Sequence, residues 1–189
     1  MKYSQSRKRL TVLRYLYFAF GLCGILIAAS GFQHAKRKSV QSDWIVFSPK
    51  NGGFSVKLPS KPTERSLSQN TEPGQTSSPP LYQLASEGLT YVITYRDDPF
   101  YKDAQTSEFL ETVAEAGITR AGGKVTSNEP ISLDGYPGRE VKGEMAGFFY
   151  QSRVYLIKQR LYVLIVWLPA AQTGSENAAK FFKSFQVEK

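Results

Sequence analysis

Histidine and cysteine are almost missing from this chain. Its 189 residues include one of each, His34 and Cys23, and both fall within the first 38 positions. From Ser39 onward there is neither. A Ser-His-Asp triad, a Cys-His dyad and a His/Cys zinc site are thereby excluded from most of the chain. A single cysteine also forbids a disulfide within one chain. No GxxxxGK[ST] or GxGxxG phosphate cradle occurs. Residues 1–38 lack acidic side chains altogether, while eight of the 24 basic ones lie there. The remainder therefore balances, sixteen against sixteen. The overall charge of +8 and pI near 9.5 belong to the N-terminal stretch, so no nucleic-acid partner is expected.

Residues 1–38 read as a basic N-terminus followed by a membrane anchor or a signal segment at about 15–35. Tyr15–Ala35 carries no charge, and Tyr15–Ala29 is almost continuously apolar. A helical span needs about 20 such residues, because only a helix satisfies its own backbone inside a bilayer. A secretory signal has a shorter apolar core, and Ala28-Ala29-Ser30 fits a small-residue cleavage site, so removal stays open. A buried soluble helix is the third reading. Five basic residues precede the span and three, Lys36-Arg37-Lys38, follow it. The positive-inside rule then places the N-terminus in the cytoplasm and the domain outside it, periplasmic or lumenal. After cleavage the domain would be secreted. Cys23 lacks the preceding small residue of a bacterial lipidation site and reads as a lipid-facing apolar side chain.

Residues 39–189 read as one α+β domain, an antiparallel sheet sandwiched by helices. Asp43–Phe47 and Phe54–Leu58 flank Pro49-Lys50-Asn51-Gly52-Gly53, a hairpin signal. Phe54, Val56 and Leu58 alternate with Ser55 and Lys57, the period of a half-buried strand. Ser66–Pro80 is too polar to offset its ordering entropy and reads as a loop. Leu81–Ser86 and Leu89–Arg96 flank Glu87-Gly88 as a second hairpin, with Tyr91, Ile93 and Tyr95 on one face and Val92, Thr94 and Arg96 on the other. A helix is expected over Thr106–Ala121, with Gly122-Gly123 ending it. Strands are expected over Lys124–Asn128, Ile131–Leu133, Arg139–Met145, Phe148–Ile157 and Leu161–Leu168. The last is apolar on both faces, which requires layers above and below it and a central position. Thr173-Gly174-Ser175-Glu176 has capping-box spacing, and Ala178, Phe181, Phe182 and Phe185 make the apolar stripe of a final helix.

Four segments carry a resemblance. They are Gly53-Phe54-Ser55-Val56-Lys57-Leu58-Pro59-Ser60-Lys61-Pro62, Tyr91–Pro99 (YVITYRDDP), Gly135-Tyr136-Pro137-Gly138-Arg139-Glu140 and Phe181-Phe182-Lys183-Ser184-Phe185. Across Trp44–Val187 the chain resembles small exported bacterial domains of the PsbP/Mog-like family, related to the photosystem II extrinsic protein PsbP and the Mog-type nuclear-transport factor. The resemblance implies an antiparallel sheet between helices. Its motifs are signatures of strands, turns and the last helix, and they speak to fold more than to function.

What chemistry remains rests on carboxylates and aromatics. Asp97, Asp98 and Asp103 gather before the first helix, with Glu108 and Glu111 beyond. Oxygen-rich loops suit hard cations, but the spacing matches no EF-hand and Lys102 lies among the acids. A solvated, helix-capping loop is the plainer reading, and whether it binds a metal stays open. Tyr91, Tyr95, Tyr136, Phe148, Phe149, Tyr150, Tyr155 and Tyr162 form either a core or an aromatic groove. Gly135-Tyr136-Pro137-Gly138 reads as a rigid turn. Arg139, Arg153 and Arg160 either converge on an anionic partner or, as the zero net charge beyond residue 38 favours, pair with local acids. No catalytic residue, metal ligand or cofactor is assigned, and no enzyme is expected. The first expected function is a non-catalytic, membrane-tethered accessory or assembly module. It would use the lipid bilayer through its N-terminal helix and another membrane-associated protein as partners, acting on a membrane complex outside the cytoplasm. The alternative is an extracytoplasmic domain that binds a small ligand, peptide or metal.

Overall fold

The computed structural model describes residues 43–66, 79–98, 101, 107–172 and 174–188. The expected span at 15–35 and most of the Ser66–Pro80 loop lie outside them. Among the described residues no helix is long and apolar enough to cross a membrane.

Seven strands form the main sheet, all neighbouring pairs antiparallel. In chain order they are β3 (Thr63–Ser66), β4 (Pro80–Ser86), β5 (Leu89–Asp97), β6 (Lys124–Leu133), β7 (Tyr136–Met145), β8 (Phe148–Ile157) and β9 (Arg160–Pro169). Their spatial order is β3-β4-β5-β9-β8-β7-β6. After β5 the helix α1 (Ser107–Arg120) carries the chain over one face to the far edge. The meander β6-β7-β8-β9 then returns and closes β9 on β5. A second sheet, β1-β2-β10, joins β1 (Ile45–Phe47), β2 (Phe54–Leu58) and β10 (Gln186–Val187). The helix α2 (Glu176–Lys183) lies between β9 and β10 in sequence.

The turns explain the tight meander. Glu87-Gly88, Asp134-Gly135 and Ala146-Gly147 each place two residues at positive φ between directly paired ends, Ser86 with Leu89, Leu133 with Tyr136 and Met145 with Phe148. Two positive φ values are what a type I′ hairpin turn requires, and its twist matches the strands it joins.

Both faces of the sheet are covered. On one, Leu110, Ala114 and Ile118 of α1 pack on Val92, Val141, Val154, Leu161, Val163 and Ile165. On the other, Phe54, Val56 and Leu58 of β2 join Ala178, Phe181 and Phe182 of α2 over Tyr91, Ile93, Tyr162, Leu164 and Val166. β9 is the fourth of seven strands, and Leu161–Val166 are all buried, as expected from its two-faced apolar run. Burying such side chains stabilises the fold by about 1.5–3 kcal/mol each. Gly143 lets α1 seat closely, since a Cβ there would lie 2.2 Å from Ile118 Cδ1 and 2.6 Å from the Lys124 carbonyl.

Several expected boundaries differ. Lys124–Asn128 and Ile131–Leu133 are one strand, β6, with a register shift between Val125 and Ser127. Pro130 is tolerated because β6 is an edge strand, where a missing N–H leaves no ladder bond unmade. β3 and β10 are short and polar, with no alternation to announce them. One face is covered by a helix alone and the other by a helix plus the small sheet, which takes β1 and β2 out of the main sheet. The final helix starts at Glu176 with Ser175 as N-cap and no side-chain cap bond. The capping box expected from Thr173 therefore does not set its start, and Thr173 itself lies outside the described residues.

Candidate functional site

The arginines resolve into local pairs. Arg139, on β7, donates from Nη2 to Glu111 Oε2 at 2.6 Å and Ser107 Oγ at 3.1 Å, tying β7 to the first turn of α1. Arg153, on β8, donates from Nε to Glu140 Oε2 at 2.7 Å and lies 5.1 Å over the Phe182 ring. Burial raises the Glu140 carboxyl, but hydrogen bonding and charge from Arg153 outweigh it, with Gln151 and Lys142 adding, and hold it below its ordinary value.

Arg160 makes the most elaborate of these contacts. Nε and Nη2 grip both oxygens of Asp97 at 2.5 and 2.6 Å. Nη1 donates to the carbonyls of Asn51 and Gly52 at 2.9 and 2.8 Å. The guanidinium sits 4.8 Å over the Tyr95 ring, and Tyr162 Oη donates to the Gly52 carbonyl at 3.1 Å. The β1–β2 turn is thus clamped to the end of the β5–β9 pair. Asp97, through its hydrogen bond, holds Arg160 more firmly protonated than an ordinary arginine. The three arginines do not converge.

The acidic loop is likewise engaged. Asp97 belongs to Arg160, and Asp98 Oδ2 accepts from Arg96 at 3.3 Å. Asp103 lies outside the described residues. Glu111 serves Arg139, and Glu108 is an exposed residue in the first turn of α1. Among the described residues no group of three or more His, Cys, Asp or Glu side chains could hold a metal ion.

The aromatics are core. Tyr91, Tyr150, Tyr155 and Tyr162 are buried; Tyr155 stacks on Phe185 at 5.8 Å, and Tyr150 meets Trp167 edge-on at 4.8 Å. Burial is the leading cause that pushes the phenols of Tyr82, Tyr91, Tyr95, Tyr155 and Tyr162 above their ordinary value, and it pushes Tyr150 up to about 12. Tyr95, Tyr136, Phe148 and Phe149 are half-buried, and Phe148 and Phe149 line an open recess of about 450 Å³ at the β7–β8 turn, with Met145, Ala146 and Gly147. Gly135 forms its turn with Asp134, whereas Tyr136-Pro137-Gly138 is already strand β7.

One surface was not singled out from sequence. An open groove of about 610 Å³ runs between β2 and α2, its rim including Val46, Lys57, Glu176, Lys180 and Lys183. Lys57 N donates to Ser184 Oγ at 2.9 Å and pins the end of α2 to β2. Lys180 Nζ lies 4.5 Å over the Trp44 ring. Beside the groove, Ile45 and Val46 of edge strand β1 are 40% and 64% exposed. A signal for the lysines existed: Lys180 and Lys183 fall opposite the Ala178/Phe181/Phe182 stripe, and Lys57 is on the polar side of β2. Their convergence depends on β10 pairing with β2, and two residues of strand give no pattern to find.

No protein-family model matches the sequence, and no curated protein matches it either. Among solved structures the chain is similar to the solution structure of cyanobacterial PsbP (CyanoP) from Synechocystis sp. PCC 6803. The TM-score is 0.53 at 14% identity, over 84% of this chain and 98% of that one. A crystal structure of a protein of unknown function, PA94 from Pseudomonas aeruginosa, gives a TM-score of 0.39 at 11% identity, over 72% and 90% of the two chains, and carries no weight. The first likeness defines the class: a PsbP-like α+β fold, as the sequence resemblance implied.

Proposed function

We propose that the chain is a non-catalytic accessory or assembly module, tethered by residues 15–35 and acting on a membrane protein complex outside the cytoplasm. One observation carries the reading. The side chains that chemistry would recruit, Arg139, Arg153, Arg160, Asp97, Glu111 and Glu140, are paired with one another, and both sheet faces are packed. Such a domain offers its partner a surface. The PsbP-like fold is compatible with this role and does not specify it. The test is chemical crosslinking of the full-length chain in its native membranes, followed by isolation in mild detergent. A stoichiometric membrane-protein partner supports the proposal, and a chain that crosslinks only to itself counts against it. The second reading, an extracytoplasmic ligand-binding domain, draws on the groove, whose volume falls in the range of small-ligand pockets. It requires a ligand that raises the melting temperature by mass action.

A further inference from the structure

We infer that the face formed by Val46, Lys57, Lys180 and Lys183 docks on the anionic headgroups of a lipid bilayer, holding the domain against the membrane that anchors it. The inference rests on the tether reading above and adds an orientation to it.

Three observations meet at this face. Lys57, Lys180 and Lys183 line one groove with Glu176 as the acid among its lining residues, and no described carboxylate lies within ion-pair distance of the three. Val46, 64% exposed on the adjoining edge strand, lies directly across from Lys57, whereas Ile45 falls on the Leu58 side of the sheet. Trp44, packed edge-on against Tyr91 and covered by the Lys180 ammonium, anchors that lysine at the rim of the face. Lysines around a protruding apolar side chain match an interface that is anionic at its surface and apolar just below.

The chain itself supplies the proximity. Only Lys36–Asp43 separates the apolar stretch from Trp44, and eight extended residues reach at most about 28 Å. Lys36-Arg37-Lys38 adds cations to the same approach. β1 is therefore the part of the described domain that the tether keeps nearest the bilayer. Lys180 and Lys183 also complement the C-terminal end of the α2 dipole, but that role places no demand on Lys57 or on Val46.

The test uses the full chain in vesicles. In a Cys23→Ser background, Val46→Cys carries an environment-sensitive fluorophore, with Ser132→Cys on β6 as the control position. Vesicles of phosphatidylcholine alone, or mixed with phosphatidylglycerol, carry brominated acyl chains as quencher. The expected result is quenching at position 46, and not at 132, in the anionic vesicles, reversed by high salt. Since each surface lysine near an anionic leaflet contributes roughly a fivefold bias, replacing all three (Lys57→Gln, Lys180→Gln, Lys183→Gln) lowers the docked-to-undocked ratio by about 100-fold. Flotation retained without quenching at 46 overturns the docking face and leaves the tether standing. Loss of flotation in both lipids overturns both. Release by inorganic phosphate at constant ionic strength assigns the groove to a free anion and overturns the lipid assignment.

Discussion

Replacing Arg160 with Met keeps the aliphatic stem and removes the cation that clamps the β1–β2 turn. Two bonds from Nη1 to the carbonyls of Asn51 and Gly52 are lost. Bonds from a charged donor contribute about 1.5–3 kcal/mol, and because both start at one nitrogen they count together as about 2. The Asp97 pair adds only about 0.5 kcal/mol, because that carboxylate is 60% exposed and well solvated. The contact with the Tyr95 ring adds about 0.5 more. The expected loss is therefore about 3 kcal/mol, a large share of a domain stability of about 5–15. Asp97→Asn leaves the carbonyl clamp in place and should cost less than about 1 kcal/mol. Urea unfolding of residues 39–189 measures both, with an unchanged slope as the sign that only stability moved. Equal losses in the two variants would refute this reasoning, since they would place the energy in the ion pair instead of the carbonyl clamp.

Three further outcomes are expected. Buried phenols held above their ordinary value make the fold bind protons that the unfolded chain releases, so their stabilisation is present below about pH 10 and is lost as pH rises from there. Tyr150, pushed up to about 12, would alone account for a loss of about 2 kcal/mol by pH 12, and a melting temperature flat from pH 10 to 12 would contradict it. Gly143→Ala drives a methyl into Ile118 and the Lys124 carbonyl and should cost about 1–3 kcal/mol by overpacking, read as a lower urea midpoint. Ala146 sits at φ +48° in a hairpin turn, so Ala146→Asn, which tolerates that region, should raise stability by about 1 kcal/mol, visible as a higher melting temperature.

What was legible in the sequence follows from how far each signal reaches along the chain. The run LYVLIVWL announced a central strand because eight residues apolar on both faces have no other stable home, and β9 is that strand. Glu87-Gly88 announced its hairpin because positive φ is a local demand. The Arg–acid pairing of Arg139, Arg153 and Arg160 followed from the neutral charge balance, though their partners did not. Gln186-Val187 was silent as a strand: two residues gain their identity only from Ser55 and Phe54 across the ladder. The lysine groove depends on that pairing, so it was hidden with it. The single β6 was split because Pro130 reads as a stop, and an edge position overrides that signal.

The most direct measurement of the central claim is the native mass of the tagged full-length chain, solubilised from its membranes in mild detergent. A tethered accessory module migrates with a larger membrane assembly at defined stoichiometry. Migration as a lone monomer, in detergent that preserves other complexes of the same membrane, would contradict it.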